Sequence, residues 1–157
     1  MDLLAQYEIP YLHPLAVHFP LVLLLLAGAV GLAYAIRGTA LWRRALLVFL
    51  ALGAATAYWA GETGETLEDD VRGEPMVEAI VDTHEQGAEW TLWAALGALA
   101  VAVGVTVWVR RLPAPTEVAQ QEPLALRLVL LVVALVPAGL VAWTAHLGGL
   151  MVWGVPG

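Results

Sequence analysis

The sequence predicts an all-α membrane protein whose four transmembrane helices form an up-and-down bundle, with both termini on the outer side. Three observations predict this class. The 157-residue chain is 61% hydrophobic with a mean hydropathy of +0.78, only 13% of its residues are charged, and it contains four long apolar stretches. Soluble domains carry about 25% charged residues, and a spanning helix needs roughly 20 apolar residues.

The four predicted spans cover about 14–36, 41–60, 84–109 and 124–147, so residues 1–157 are expected to form a single transmembrane domain. Gly38 lies where a tight turn joins the first two spans. The third connection is rich in proline and is expected to be irregular. The second connection, 62–83, is expected to be an acidic loop in which Pro75 opens a helix that runs into the third span.

The basic residues are confined almost entirely to one side of the predicted bundle. Six of the seven lie in or beside the first and third connections, whereas twelve of the fourteen acidic residues lie on the other side. Connections rich in arginine stay in the cytoplasm, so the termini and the second connection are expected to face outward. The six residues are Arg37, Arg43, Arg44, Arg110, Arg111 and Arg127.

Composition also excludes several classes of function. The chain has no cysteine, which excludes disulfides, iron–sulfur clusters, thiolate metal sites and covalent haem attachment. A net charge of −7 argues against nucleic acid as a partner. No nucleophile–base triad, P-loop or dinucleotide fingerprint is present, so the sequence leaves open whether the protein is an enzyme.

Helix rise places three histidines in one layer of the predicted bundle. His18 and His146 are each 19 residues from an arginine at the opposite end of their span. This spacing puts both about 28 Å from the arginine side, near the outer interface. His84 begins the third span at a similar level. The sequence does not predict the direction of the His13 side chain, because neighbouring prolines disturb the helical phase.

Two of these histidines have small residues next to them on the side of the membrane centre. This predicts an open slot between the helices there. His84 lies above Ala88, Thr91 and Ala95, and His146 lies above Ala142 and Gly139. An ionisable group within a membrane span is a candidate functional residue. Four nearby carboxylates fall on a different helical face from His84 and are expected to be solvated: Glu78, Asp82, Glu85 and Glu89.

Three functions fit this layer. Two imidazoles can ligate one haem b, with His18 and His84 as the axial pair and His146 as a third candidate or a propionate partner. Alternatively, His18, His84 and His146, with a carboxylate from Glu62, can bind zinc, copper or non-haem iron. In the third interpretation, the protein is an accessory subunit of a larger complex, and its histidines only form hydrogen bonds.

One internal similarity suggests two related helical hairpins. The segment from Arg44 to Trp59-Ala60-Gly61-Glu62 is similar in length and order to the segment from Arg127 to Trp143-Thr144-Ala145-His146.

The two ends of the chain also resemble a known family. His13-Pro14-Leu15-Ala16-Val17-His18-Phe19-Pro20, and His146-Leu147-Gly148-Gly149 followed by Met151-Val152-Trp153-Gly154-Val155, resemble motifs of the bacterial membrane family termed domain of unknown function 2231. The resemblance implies four helices in a bacterial inner membrane. It also implies a redox setting, since some relatives resemble fusions to c-type cytochromes.

The pattern is similar to b-type membrane cytochromes as well, with one difference. Those proteins stack two haems across the membrane, whereas all the histidines here are expected on one side. The resemblance therefore implies one haem near the outer face, which exchanges electrons with a quinone or a periplasmic redox protein.

Overall fold

The computed structural model describes residues 12–71, 73–111 and 121–154. Within these ranges the chain is helical apart from short turns, and no β-strand is present. The helices are α1 (His13–Ala16), α2 (His18–Arg37), α3 (Ala40–Val71), α4 (Pro75–Glu78), α5 (Val81–Val109) and α6 (Leu124–Trp153).

Four helical segments of the described chain are long and apolar enough to cross a membrane, which confirms the predicted all-α class with four spans. They are His13–Arg37, in which α1 leads into α2, followed by Ala40–Glu68, Val81–Val109 and Leu124–Trp153. Because a bilayer interior offers no hydrogen-bond partners, a backbone that satisfies its own polar groups as a helix is the form expected there.

The four long helices form a closed ring. α2 packs against α3 and α6, and α5 packs against the same two helices. α2 and α5 therefore lie on one diagonal of the bundle, and α3 and α6 lie on the other. One end of the ring carries the arginines listed above and is called the arginine end. The opposite end, which carries His13, His18, His84 and His146, is called the histidine end.

The second connection differs from the prediction. α3 continues through 32 residues to Val71, so much of the expected 62–83 loop is helix. At 1.5 Å per residue α3 is about 48 Å long, and its last turns extend beyond a hydrocarbon core of about 30 Å. The helix opened by Pro75 ends at Glu78 and does not run into α5. Ile80, with φ −130°, separates the two helices.

The turn at the arginine end follows the prediction. Gly38 ends α2 in the left-handed conformation, with φ 62°, and its N–H donates to Tyr34 O at 2.8 Å. Glycine adopts this conformation without the steric cost of a Cβ atom. Ala40 then begins α3 after one intervening residue.

Many buried positions of the first hairpin recur in the second. Each buried residue of α1–α2 in the following list corresponds to one in α5, and each of α3 to one in α6, at constant spacing. The pairs are Ala16/Gly87, Pro20/Thr91, Leu24/Ala95, Ala27/Ala98 and Gly31/Ala102, followed by Leu46/Leu130, Leu50/Ala134, Gly53/Pro137, Ala54/Ala138 and Ala60/Thr144.

This repeat relates the hairpin α1–α2–α3 to the hairpin α5–α6 by an approximate two-fold axis along the bundle. The contacts obey the same relation, because α2–α3 corresponds to α5–α6 and α3–α5 corresponds to α6–α2. The sequence similarity noted above belongs to this repeat, but its register is corrected by one residue. Arg43, and not Arg44, corresponds to Arg127.

Small residues allow the helices to approach closely. A Cβ atom at Gly28 or Gly31 of α2 would lie 3.2 Å from the Cβ of Ala138 or Ala134 of α6, respectively. Close contact between small residues is the usual basis of helix association in membranes, where burial of apolar surface contributes little.

Candidate functional site

Two histidines meet at the histidine end. The ring centres of His13 and His84 are 6.5 Å apart, and the ring planes are nearly perpendicular, at 85°. His13 lies on α1 and His84 on α5, so the contact joins the two hairpins across the bundle. Both rings are partly buried. These two residues are called the histidine pair.

Each ring is held by a backbone carbonyl of the other helix in its own hairpin. His13 Nδ1 lies 3.1 Å from Ala60 O, and His84 Nδ1 lies 3.0 Å from Thr144 O. A carbonyl oxygen can only accept, so each Nδ1 must carry a proton and donate it. In the neutral form each Nε2 then has a free lone pair.

Thr63 completes the support of His13. Its hydroxyl donates to Ala60 O at 2.9 Å, and its oxygen lies 3.1 Å from His13 Nδ1. Within the described ranges, neither Nε2 of the histidine pair has a hydrogen-bond partner. The arrangement therefore leaves two neutral imidazole nitrogens available as ligands.

A glycine lies against each ring. A Cβ atom at Gly64 would lie 3.0 Å from His13 Cε1, and one at Gly148 would lie 3.1 Å from His84 Cε1. Both distances are shorter than ordinary van der Waals contact, so a larger residue would displace the imidazole. Each ring therefore has room only because its neighbour is a glycine, which has no side chain.

The repeat relates every part of this site. His13 corresponds to His84, Ala60 to Thr144, and Gly64 to Gly148, in the register of the buried positions. The histidine pair therefore lies at the approximate two-fold axis. A ligand held by both rings would receive equivalent donors from the two hairpins.

The bundle is closely packed next to the pair on the side of the membrane centre. Thr144 and Thr91 are buried, and their hydroxyl oxygens are 3.4 Å apart. A Cβ atom at Gly87 would lie 2.7 Å from Thr144 Oγ1. α5 and α6 are in contact at this level, so this helix contact closes the site toward the membrane centre.

The structure does not bring the predicted trio of His18, His84 and His146 together. His18 and His146 are exposed, and His18 Nδ1 is bonded to Pro14 O of the preceding turn. Glu62 is also exposed and interacts with Tyr58 on its own helix. In the described ranges no three histidine, aspartate or glutamate side chains are close enough to hold one metal ion.

The predicted slot is also absent. Beneath His84, Thr91 and Ala95 are buried in helix contacts and do not line an opening. Beneath His146, Gly139 and Ala142 are exposed on the outside of the bundle. The four carboxylates Glu78, Asp82, Glu85 and Glu89 are exposed, as the sequence predicts.

His13 is the ligand candidate that the sequence reasoning left undetermined. Helix rise gives the depth of a residue but not the direction of its side chain, and Pro14 and Pro20 disturb the phase of this segment. The signal that identifies it is the repeat. Once Leu24 is aligned with Ala95, His13 falls on His84, whereas His18 and His146 have no histidine counterpart.

A second polar cluster lies at the arginine end. Glu122 accepts hydrogen bonds from Arg43 Nε at 2.9 Å, Arg43 Nη2 at 3.1 Å and Tyr34 OH at 2.5 Å. Its own N–H donates to Gly38 O at 2.8 Å. Glu122 thereby connects the start of α6 to the turn between α2 and α3. Tyr34, Arg43, Glu122 and Arg127 are called the arginine cluster.

Comparison with known proteins gives one result. A family model described as "Predicted membrane protein (DUF2231)" matches residues 9–155, which confirms the resemblance drawn from the terminal motifs. No curated protein and no solved structure matches the chain.

Replacement of Gly148 by valine should disturb the ring of His84, whereas the same change at Gly149 should not. A side chain at Gly148 meets the imidazole, and a Cβ at Gly149 has no neighbour within 4 Å. In ¹⁵N NMR spectra recorded with the His84 imidazole in its neutral form, His84 should show the Nδ1–H tautomer in the wild type and in Gly149→Val. Its ring signals should shift in Gly148→Val, and identical signals in all three proteins would contradict the contact.

Proposed function

This chain belongs to the DUF2231 family of membrane proteins, and we propose that its histidine pair binds haem b and transfers electrons at the histidine end of the bundle. The observation that supports the proposal is the fixed orientation of both rings. His13 and His84 each donate Nδ1–H to a carbonyl, which leaves each Nε2 as a ligand. Metal-ligating histidines are commonly oriented by such a hydrogen bond.

The separation of the rings supports His13 and His84 as the two residues that would hold the haem iron. With metal–nitrogen bonds of about 2.0 Å, two imidazoles on opposite sides of one metal place their ring centres about 6 Å apart. The observed separation is 6.5 Å. The spacing of the two rings would therefore allow both to hold one metal ion.

The number of ligands points the same way. Among the described residues, no third histidine or carboxylate joins the pair. A non-haem site for zinc or iron needs three or more protein ligands, whereas haem supplies four equatorial nitrogens of its own. His13 and His84 are therefore the two residues that would supply the protein ligands of haem b.

The residues around the pair have separate tasks in this proposal. Ala60 and Thr144 hold the rings through their carbonyls, and Gly64 and Gly148 leave room for them. The close packing at Gly87 closes the site toward the membrane centre. The bound haem supplies a one-electron couple. A membrane quinol or a redox protein outside the membrane is the partner class that can reach it.

We further propose that the arginine end faces the cytoplasm of a bacterial inner membrane, with both termini outside. The support is the concentration of six of seven arginines at this end. Because the chain has no cysteine, single cysteines report each side cleanly. A membrane-impermeant thiol reagent should label Glu65→Cys in intact spheroplasts and label Gln121→Cys only after lysis. The reverse pattern would refute this orientation.

Substitution of either member of the histidine pair should remove the haem signal. Protein expressed with adequate haem supply should show b-type bands in a dithionite-reduced minus oxidised spectrum and in a pyridine haemochrome assay. His13→Ala and His84→Ala should each reduce haem content at least tenfold, because one ligand is lost. The matched controls His18→Ala and His146→Ala alter exposed imidazoles and should retain it.

The other outcomes are equally informative. A spectrum without haem bands, together with copper or zinc in elemental analysis, would replace haem by a bare metal ion on the same pair. A colourless, metal-free protein would leave the histidines with only their helix-joining hydrogen bonds, as in an accessory subunit. Haem that survives both His13→Ala and His84→Ala would refute the ligand assignment.

A further inference from the structure

The arginine cluster contains two guanidinium groups and one carboxylate, with Arg43 buried and Arg127 partly buried. Arg43 is only 4% exposed and forms a salt bridge with Glu122 at 2.9 Å. Arg127 lies beside the turn between α2 and α3, because a Cβ atom at Gly38 would be 2.7 Å from Arg127 Nη1. Tyr34 lies within electrostatic range of both guanidinium groups. Among the described residues of this cluster, two cations face one carboxylate.

Each arginine also has a buried N–H group without an acceptor. Arg43 Nη1 and Arg127 Nε are shielded from solvent and form no hydrogen bond with the described residues. Most buried polar atoms in proteins have a partner, so each exception requires an explanation. Two such groups in one cluster indicate a missing acceptor.

The repeat gives the two groups a common origin. Arg43 corresponds to Arg127 in the register that relates Ala60 to Thr144. The two hairpins therefore carry equivalent cations at this end, just as they carry equivalent imidazoles at the other. Only the first hairpin's arginine has a carboxylate partner among the described residues, since Glu122 binds Arg43.

The start of α3 adds to the positive potential. α3 begins at Ala40, immediately after the Gly38 turn, and Arg43 is the first of its residues whose N–H is bonded to a preceding carbonyl, that of Thr39. The free N–H groups of a helix start favour an anion.

We propose that the arginine cluster binds a phosphate-type oxyanion, with Arg43 Nη1 and Arg127 Nε as donors. Guanidinium groups match the oxygens of a phosphate and form charge-assisted hydrogen bonds with them. Gln121 lies at the exposed edge of the cluster, where its Oε1 accepts from Arg127 Nη1 at 3.1 Å and leaves Arg127 Nε without an acceptor. The phosphate comes from a phospholipid headgroup or from free inorganic phosphate, since the arginine end lies at a membrane surface.

The test is thermal unfolding of delipidated protein in an uncharged detergent. One arm adds inorganic phosphate against chloride at equal ionic strength, and the other adds phosphatidylglycerol against diacylglycerol. Saturating ligand should raise the unfolding midpoint by about 5 °C in at least one arm. A rise only with phosphatidylglycerol identifies the lipid headgroup, and a rise only with inorganic phosphate identifies the free ion.

The variants separate this site from general charge effects. Arg127→Gln should abolish the rise, whereas Arg44→Gln, which changes an exposed arginine at the same end, should retain it. Arg43→Gln leaves Glu122 buried without its partner and risks misfolding, so Arg127→Gln carries the test. A wild-type protein that responds in neither arm, or an Arg127→Gln variant that responds as the wild type does, overturns the proposal. Haem content does not enter the readout.

Discussion

The two hydrogen bonds from histidine to backbone carbonyl are the interactions on which the histidine end depends. Within each hairpin, a connection joins the two helices at the arginine end. At the histidine end no covalent link joins these two helices. His13 closes the open end of the first hairpin through Ala60 O, and His84 closes that of the second through Thr144 O. The same bonds fix the tautomer of both rings. One interaction, used twice, thus holds the helices together and sets the chemistry of the site.

The two-fold repeat explains why both ends of the bundle carry paired polar groups. Equivalent positions of the two hairpins lie at the same end of the bundle, so His13 meets His84 at one end, and Arg43 and Arg127 both lie at the other. Between these ends the core is filled by small and apolar side chains, including Leu24 and Ala95. The two polar sites are therefore separated by an apolar core.

The sequence was sufficient to predict the fold, and the physical reason is the bilayer. Apolar length determines which segments span, so the four helices and the Gly38 turn followed directly. The extent of α3 did not follow, because its last turns leave the membrane and no longer obey the hydropathy signal.

The candidate site was predicted only in part, since depth and direction are different properties. Helix rise placed the histidines at one end, yet it could not tell that His18 and His146 face outward. The small residues near His84 were read as a slot, whereas they serve close packing of α5 on α6. The internal similarity in the sequence pairs Arg44 with Arg127, which is one residue out of register. The register of the buried positions pairs His13 with His84.

The central claim is that His13 and His84 touch across the bundle. Magic-angle-spinning NMR of histidine-labelled protein in lipid bilayers tests it directly, through correlations between ring atoms of different residues. The account predicts a cross-peak between two histidine rings that disappears in His13→Asn and in His84→Asn and persists in His18→Asn and His146→Asn. A His84 ring that correlates with His18 or His146, or with no other histidine, would contradict it.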